Sequence, residues 1–223
     1  MKLPITNRLI TVSEMVKKTD IMCDIGCDHG YLPINLILEK KVNFAYGCDI
    51  NDCPLNAARK NFERFSLSDK AEFRKGDGLT AVPDIAFGLV TICGMGGRLI
   101  AKILSDGREM LNENTQIILQ PMTDVWILRD FLYKNNFHIK SEKLAKEDDR
   151  FYNIIEAAMG FKKEISFSDI YTGVSFIDKN NCHFDEYIKK QHRKFTKMYY
   201  FKKGHEDVVW LENIIFDLEK MMK

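Results

Sequence analysis

Ile21-Met22-Cys23-Asp24-Ile25-Gly26-Cys27-Asp28-His29-Gly30-Tyr31-Leu32-Pro33 opens as an apolar run, meets an acid, breaks at two glycines and resumes as an apolar segment of helical character. This is the pattern of a strand, a tight loop and a helix start. Glycine has no Cβ and reaches backbone angles closed to other residues, so the loop from Gly26 to Gly30 lets a ligand approach the main chain closely. The G-x-G-x-x-G pattern that brings a pyrophosphate to a helix N-terminus is missing, and Asp24, Asp28 and His29 stand there instead. Carboxylates repel phosphates but suit a cationic ligand bearing an amino-acid group, such as S-adenosylmethionine. An ordinary strand-to-helix turn is the plain alternative.

Working outward, Leu9, Ile10, Val12, Met15 and Val16 recur at near-helical spacing over residues 5–18, with Thr6 or Asn7 available as a cap and Arg8 on the polar first turn. After the glycine loop, residues 31–39 read as a helix and 42–48 as a strand that ends at Asp49. Asp49 follows Asp24 by 25 residues, the spacing at which nucleotide-binding α/β folds place a carboxylate for ribose hydroxyls. A helix over 56–65 and a strand over 71–74 lead to Gly76-Asp77-Gly78, where an acid between glycines can turn inward to an adenine amino group. Asp24, Asp49 and Asp77 thus close three successive strands and fall along one edge of a parallel sheet, where such folds bind ligands.

A fourth strand, 89–93, enters Gly94-Met95-Gly96-Gly97 and a helix over 98–110; a fifth, 115–119, enters Gln120-Pro121-Met122, with Asp124 as cap for a helix reaching Tyr133. Residues 137–144 and 152–159 read as an antiparallel hairpin closing the sheet, and 160–181 as an irregular connection. Phe184, Ile188, Gln191, Phe195 and Met198, then Val208, Leu211, Ile215, Leu218 and Met222, alternate steps of three and four either side of Lys203-Gly204-His205. That is a two-helix, coiled-coil hairpin. The expected organisation is a catalytic domain over 1–160, a connection over 161–181 and a helical hairpin over 182–223.

With 223 residues and 45% hydrophobic content, the chain can bury one large core. It has no run of about 18 apolar residues and no apolar secretory core near Met1, so a cytoplasmic protein away from membranes is expected. The six cysteines form no C-x-x-C pair and read as reduced, with no metal site. The net charge of +1 hides seven basic residues against two acids between Cys182 and Lys203, a local +5 that fits a polyanion or a solvated helix face.

Asp24 through Pro33, Gly76-Asp77-Gly78-Leu79, Gly94-Met95-Gly96-Gly97 and Leu119-Gln120-Pro121, in that order, resemble the TrmK-type bacterial tRNA (adenine-N1)-methyltransferases, which act on adenine 22 of tRNA. The resemblance spans nearly the whole chain and is most specific at the first motif, where Cys27 and Gly30 replace the serine and alanine that members often carry. It implies a class I methyltransferase fold, a Rossmann-like α/β sheet, mostly parallel with an antiparallel closing strand, followed by the C-terminal hairpin. It also implies S-adenosylmethionine as donor and tRNA as partner; a monomer is expected. Carried over motif by motif, Asp28 is the expected catalytic residue. The expected cofactor contacts are Asp24, Gly26, His29, Gly30, Asp49, Ile50, Asp77, Gly78, Cys93 and Gly94. Substrate contacts are expected at Arg8, Tyr31, Met95, Gly96, Gly97, Gln120 and Pro121, and on the arm at Lys189, Arg193 and Lys197.

Adenine N1 already carries a lone pair, so in-line attack on a sulfonium methyl needs no base, and positioning can carry the catalysis. In agreement, Cys93-Gly94-Met95-Gly96 occupies the place of the N/D-P-P-Y/F/W motif that holds the exocyclic amine in N6-adenine enzymes. Asp28 can stabilise the cationic product or simply cap its loop. A dehydrogenase on the same sheet, an RNA-binding protein with a degenerate methyltransferase fold, and a methyltransferase for another substrate are the rival readings.

Overall fold

The computed structural model describes residues 3–160, 164–204 and 207–222. Among these residues seven strands form one sheet: β1 (Thr19–Ile25), β2 (Val42–Asp49), β3 (Ala71–Lys75), β4 (Leu89–Gly96), β5 (Gln116–Thr123), β6 (Phe137–Glu147) and β7 (Arg150–Met159). Their spatial order is β3-β2-β1-β4-β5-β7-β6. β1 to β5 pair in parallel, and β7 is antiparallel to both of its neighbours, as the closing hairpin required. The chain builds outward from β1 to β3, then returns to place β4 on the other side of β1. The loops after β1 and β4 therefore diverge, leaving a crevice at the carboxyl ends of the strands.

Eight α-helices flank the sheet among the described residues: α1 (Asn7–Met15), α2 (Tyr31–Leu38), α3 (Asp52–Arg64), α4 (Gly97–Asp106), α5 (Val125–Lys134), α6 (Phe167–Thr172), α7 (Phe184–Lys202) and α8 (Val209–Met221). Alternation along the strands divides the core. Cys23, Ile25, Ile92, Leu119 and Ile155 meet Ile100, Leu104, Leu128 and Leu132 of α4 and α5 on one face. Met22, Leu89, Ile118 and Ile154 meet Val12, Met15, Leu32 and Leu36 of α1 and α2 on the other. Each such aliphatic side chain contributes about 1.5–3 kcal/mol when fully buried.

Several boundaries differ from the sequence reading. α1 is shorter than 5–18, and α3 begins at Asp52 because Pro54 falls in its first turn, where no intrahelical N–H is needed. β5 continues through Pro121 to Thr123, since β4 shifts register opposite it between Cys93 and Gly96. Asp124 gives α5 no side-chain cap; it sits at φ +53° with its carboxylate 3.4 Å from Arg98 Nε. The segment expected to be irregular contains α6, capped by Ser166 Oγ accepting from the Asp169 N–H and ended by Gly173 at φ +67°.

α7 and α8 bury Phe184, Ile188, Phe195, Leu211 and Leu218 as the heptads predict, but Tyr187 and Ile214 join them while Met222 is exposed. The pair also packs on Leu144 of β6 and on Val174 and Ile177, which widens the α7 stripe and turns α8. His205 of the expected turn, residues 161–163 and Lys223 lie outside the described residues.

One buried ionic cluster ties the arm to the sheet. Arg129 Nε and Nη2 donate to the two oxygens of Glu142 at 2.7 and 2.8 Å, and both side chains are sealed from solvent. Arg129 Nη1 reaches the carbonyls of Ile170 and Tyr171, Asn153 donates to Glu142, and Tyr187 Oη donates to the Thr172 carbonyl at 2.7 Å. A Cβ at Gly173 would collide with the guanidinium, so glycine both ends α6 and admits the cation.

Candidate active site

The crevice between the β1 and β4 loops holds a cavity of about 350 Å³ lined by Arg8, Leu9, Asp24, Gly26, Cys27, Asp28, His29, Tyr31, Leu32, Asp49, Cys93, Gly94, Met95 and Met122. A smaller one, about 90 Å³, adjoins it and is lined in part by Ile50, Gly76, Asp77, Gly78, Leu99 and Ile103. Gly26, Asp49 and Met95 belong to both walls. The Met95 methyl lies where a Cβ on Gly26 would be, so this glycine permits a close approach that any side chain would block.

Asp24 is buried at the end of β1, with Oδ1 accepting from Thr91 Oγ1 at 2.6 Å. Burial pushes its carboxyl up to about 7; the Thr91 hydrogen bond works against that rise and the nearby Asp28 adds to it. Among the described residues no cation pairs with it. A buried acid left without a cation is suited to a ligand ammonium, which would supply the missing charge.

The loop then turns through Gly26 at φ +72°, Asp28 at φ +45° and Gly30 at φ +70°, with the Gly30 N–H donating to the Cys27 carbonyl. This geometry turns Asp28 and His29 outward at the rim, 3.7 Å apart, with the His29 ring stacked on Tyr31 at 5.3 Å. Asp49 Oδ1 accepts from the Asn51 N–H at 2.9 Å. Asp77 is not turned inward: its carboxylate is 67% exposed and lies 3.7 Å from Lys102 Nζ, which bonds Asp106 more closely.

Opposite the loop, Gln120 is fully buried. Its Oε1 accepts from the Gly94 N–H at 3.1 Å and from Arg8 Nη1 at 3.0 Å, while its Nε2 donates to the Pro121 carbonyl. Arg8 is held in turn by Glu147, through its backbone N–H, and by the Tyr152 ring. Gln120 therefore stands behind the wall and fixes the left-handed turn at Gly94. Gly97 lies where a Cβ would strike the Asp124 carbonyl, so it serves the close packing of two loops. The thiol of Cys93 is pushed well up by burial, with Asp24 adding to the effect, and that of Cys27 likewise; neither is a thiolate nucleophile.

Lys189, Arg193 and Lys197 are exposed on α7, outside the cavity. β6 runs in the same direction as β5, so the β6–β7 turn lies at the cavity edge of the sheet. There Lys146 pairs with Glu186 at 2.7 Å and Lys190 donates to the Asp149 carbonyl, so the basic helix departs from that edge. Thr91, Met122, Glu147 and Tyr152 were not singled out in the sequence. Thr91 alone carried a signal, as the polar residue within the apolar run Leu89 to Cys93.

The family profile described as a methyltransferase domain matches residues 5–155. A tRNA (adenine(22)-N(1))-methyltransferase of Bacillus subtilis (strain 168) is 35% identical over 159 residues, 71% of this chain and 67% of that relative. The chain belongs to the tRNA (adenine(22)-N1)-methyltransferase family. Likeness to solved members of this family extends through the arm. The B. subtilis m1A22 tRNA methyltransferase TrmK superposes with a TM-score of 0.84 at 26% identity, covering all of both chains. M. capricolum TrmK, in complex with its natural cofactor product S-adenosyl-homocysteine, gives 0.80 at 30% identity over 98% of this chain and 97% of that one.

Proposed function

We propose that the chain transfers a methyl group from S-adenosylmethionine to N1 of adenine 22 in tRNA. The observation that carries this reading is the buried Asp24 carboxylate, without a cation among the described residues, in the wall of a cavity whose loop replaces a phosphate seat with Asp28 and His29.

The bound donor supplies an electrophilic methyl on a sulfonium. Asp24 holds the ammonium of the donor, and the bare backbone at Gly26 and Gly30 lets it lie against the loop. Asp49 and Ile50 meet the ribose; Gly78, in the adjoining cavity, receives the adenine, and Asp77 reaches its amino group on turning in from Lys102. Cys93 and Gly94 complete the cofactor wall, with His29 at its rim. Asp28 lies where developing positive charge on the methylated base is best met by a carboxylate. Arg8, Tyr31, Met95, Gly96, Gly97, Gln120 and Pro121 shape the substrate side. Because N1 lies on the Watson–Crick edge, the target must be unpaired on arrival, at an expense of a few kcal/mol. Lys189, Arg193 and Lys197 offset that by gripping phosphates. Residues 1–160 form the catalytic unit, 161–181 the connection and 182–223 the arm of a monomer working in the cytoplasm.

Incubation with labelled S-adenosylmethionine and unmodified tRNA, followed by nucleoside analysis, tests the reading. Label should appear as 1-methyladenosine at position 22. Label in another nucleoside, or none, would overturn it.

A further inference from the structure

Past Phe195 the arm leaves the body of the protein: no residue from Thr196 to Gly204 is buried. This outer stretch nevertheless carries Tyr199, Tyr200 and Phe201, with Tyr200 71% and Phe201 84% exposed. Tyr199 packs in part on the arm's own core, whereas Tyr200 and Phe201, left in water at the helix end, stand outside it. Lys194, Lys197, Lys202 and Lys203 are interleaved with them, and no acid occurs between Lys194 and Gly204. The Lys203 ammonium lies 5.2 Å from the Tyr199 ring centre, and Tyr199 meets Tyr200 edge to face at 5.5 Å.

We infer that the outer end of α7, through Tyr200 and Phe201 with Tyr199 behind them, is a stacking platform for an unpaired base of the tRNA substrate. The inference rests on the tRNA reading above and extends it from the phosphates to a base. An unpaired nucleotide presents a flat π-face beside a phosphate, and this surface presents open rings beside ammonium groups. A second copy of the chain would set the same lysines against each other. An anionic bilayer meets the charge requirement too, but Lys189, Arg193 and Lys197 continue the basic surface from the platform back along α7 toward the cavity edge, the track a substrate held at both points would follow.

The test uses the full chain with Tyr200 and Phe201 both changed to serine, and a second variant, Tyr200→Phe with Phe201→Tyr, that keeps two rings. Affinity for unmodified tRNA should fall about 5- to 100-fold in the serine variant and be restored in the second. The slope of log affinity against log salt should not change, because stacking releases no counterions. Affinity for a blunt RNA duplex, which offers no free loop base, should stay at the wild-type value, as should that for S-adenosylhomocysteine. Unchanged tRNA affinity, or an equal loss on the duplex, would overturn the platform while leaving the methyltransferase reading intact. Loss of self-association in sedimentation, or of binding to phosphatidylglycerol vesicles, with tRNA affinity unaltered would assign the rings to those partners instead. Wild-type protein that neither binds nor methylates tRNA would remove both readings.

Discussion

The sharpest consequence of the site concerns protons. Asp24 has its carboxyl raised from 3.8 to about 7 chiefly by burial, so between about pH 4 and pH 7 the folded protein keeps a proton that the unfolded chain has released. Stability therefore falls as pH rises through that window and levels off above it. At about 1.4 kcal/mol for each tenfold change in proton affinity, the fall attributable to this group totals roughly 4 kcal/mol. A bound ammonium reverses the balance by favouring the ionised carboxylate. Below pH 7 cofactor binding should expel close to one proton, and S-adenosylhomocysteine affinity should rise almost tenfold per pH unit until it flattens near pH 7.

Asp24→Asn isolates the contribution of this carboxyl, because the amide oxygen can still accept from Thr91. The variant should resist denaturant better than wild type above pH 7 in the absence of ligand, yet bind S-adenosylhomocysteine more weakly and without the slope below pH 7. Calorimetry in buffers of differing ionisation enthalpy counts the expelled protons. Wild-type affinity that is flat from pH 5.5 to 7.5, with no proton release, would refute both the buried state of Asp24 and its pairing with the ammonium.

Asp28 occupies a left-handed position that asparagine tolerates and alanine does not, so Asp28→Asn is the cleaner probe; single-turnover methylation should slow by about tenfold or more while S-adenosylhomocysteine affinity is kept. Neutralising Lys189, Arg193 and Lys197 to glutamine should weaken tRNA binding and flatten its salt dependence, the slope falling by about 0.7 to 0.9 for each phosphate no longer neutralised, measured by titration at several salt concentrations. Glu142→Gln leaves Arg129 charged, buried and unmatched, and urea unfolding followed at Trp126 and Trp210, which flank Tyr171 near that cluster, should show a loss of about 3–5 kcal/mol. Replacing the pair together with Arg129→Met and Glu142→Leu should recover most of it.

The legible parts of the sequence were those governed by local rules. Gly26 and Gly30 announce left-handed turns, the apolar runs at 21–25 and 89–93 announce buried parallel strands, and the acids that close β1 and β2 mark the edge of the sheet where the cavities lie. What local rules miss is set by partners far away in the chain. Asp124 reads as a helix cap, yet Arg98 and the close approach of Gly97 draw it into another conformation. Pro121 reads as the end of a strand, yet the bulge at Gly94 in β4 lets the ladder continue past it. Heptad spacing places Ile215 and Gln191 in the arm's seam, because it assumes two helices alone; packing against β6 and the turn after α6 buries Ile214 and Tyr187 as well and leaves Ile215 at the margin of the cluster.

The same distinction separates two uses of buried polar groups here. Arg129 and Glu142 neutralise each other and are completed by Asn153 and the carbonyls of Ile170 and Tyr171, so they fix where the arm leaves the sheet, and with it the direction in which the basic face runs. Gln120 likewise spends its amide on Gly94, Arg8 and Pro121, and so acts on the reaction only through the turn that it holds. Among the described residues Asp24 has a single hydroxyl for a partner and no cation to balance its charge. A folded chain gains nothing from leaving such a charge unbalanced, and substituting a neutral amide would relieve it. On the proposed reading the ligand ammonium balances that charge, and stability sacrificed at Asp24 in the free protein should reappear as affinity when that ammonium binds, which is what the pH dependence of S-adenosylhomocysteine binding tests.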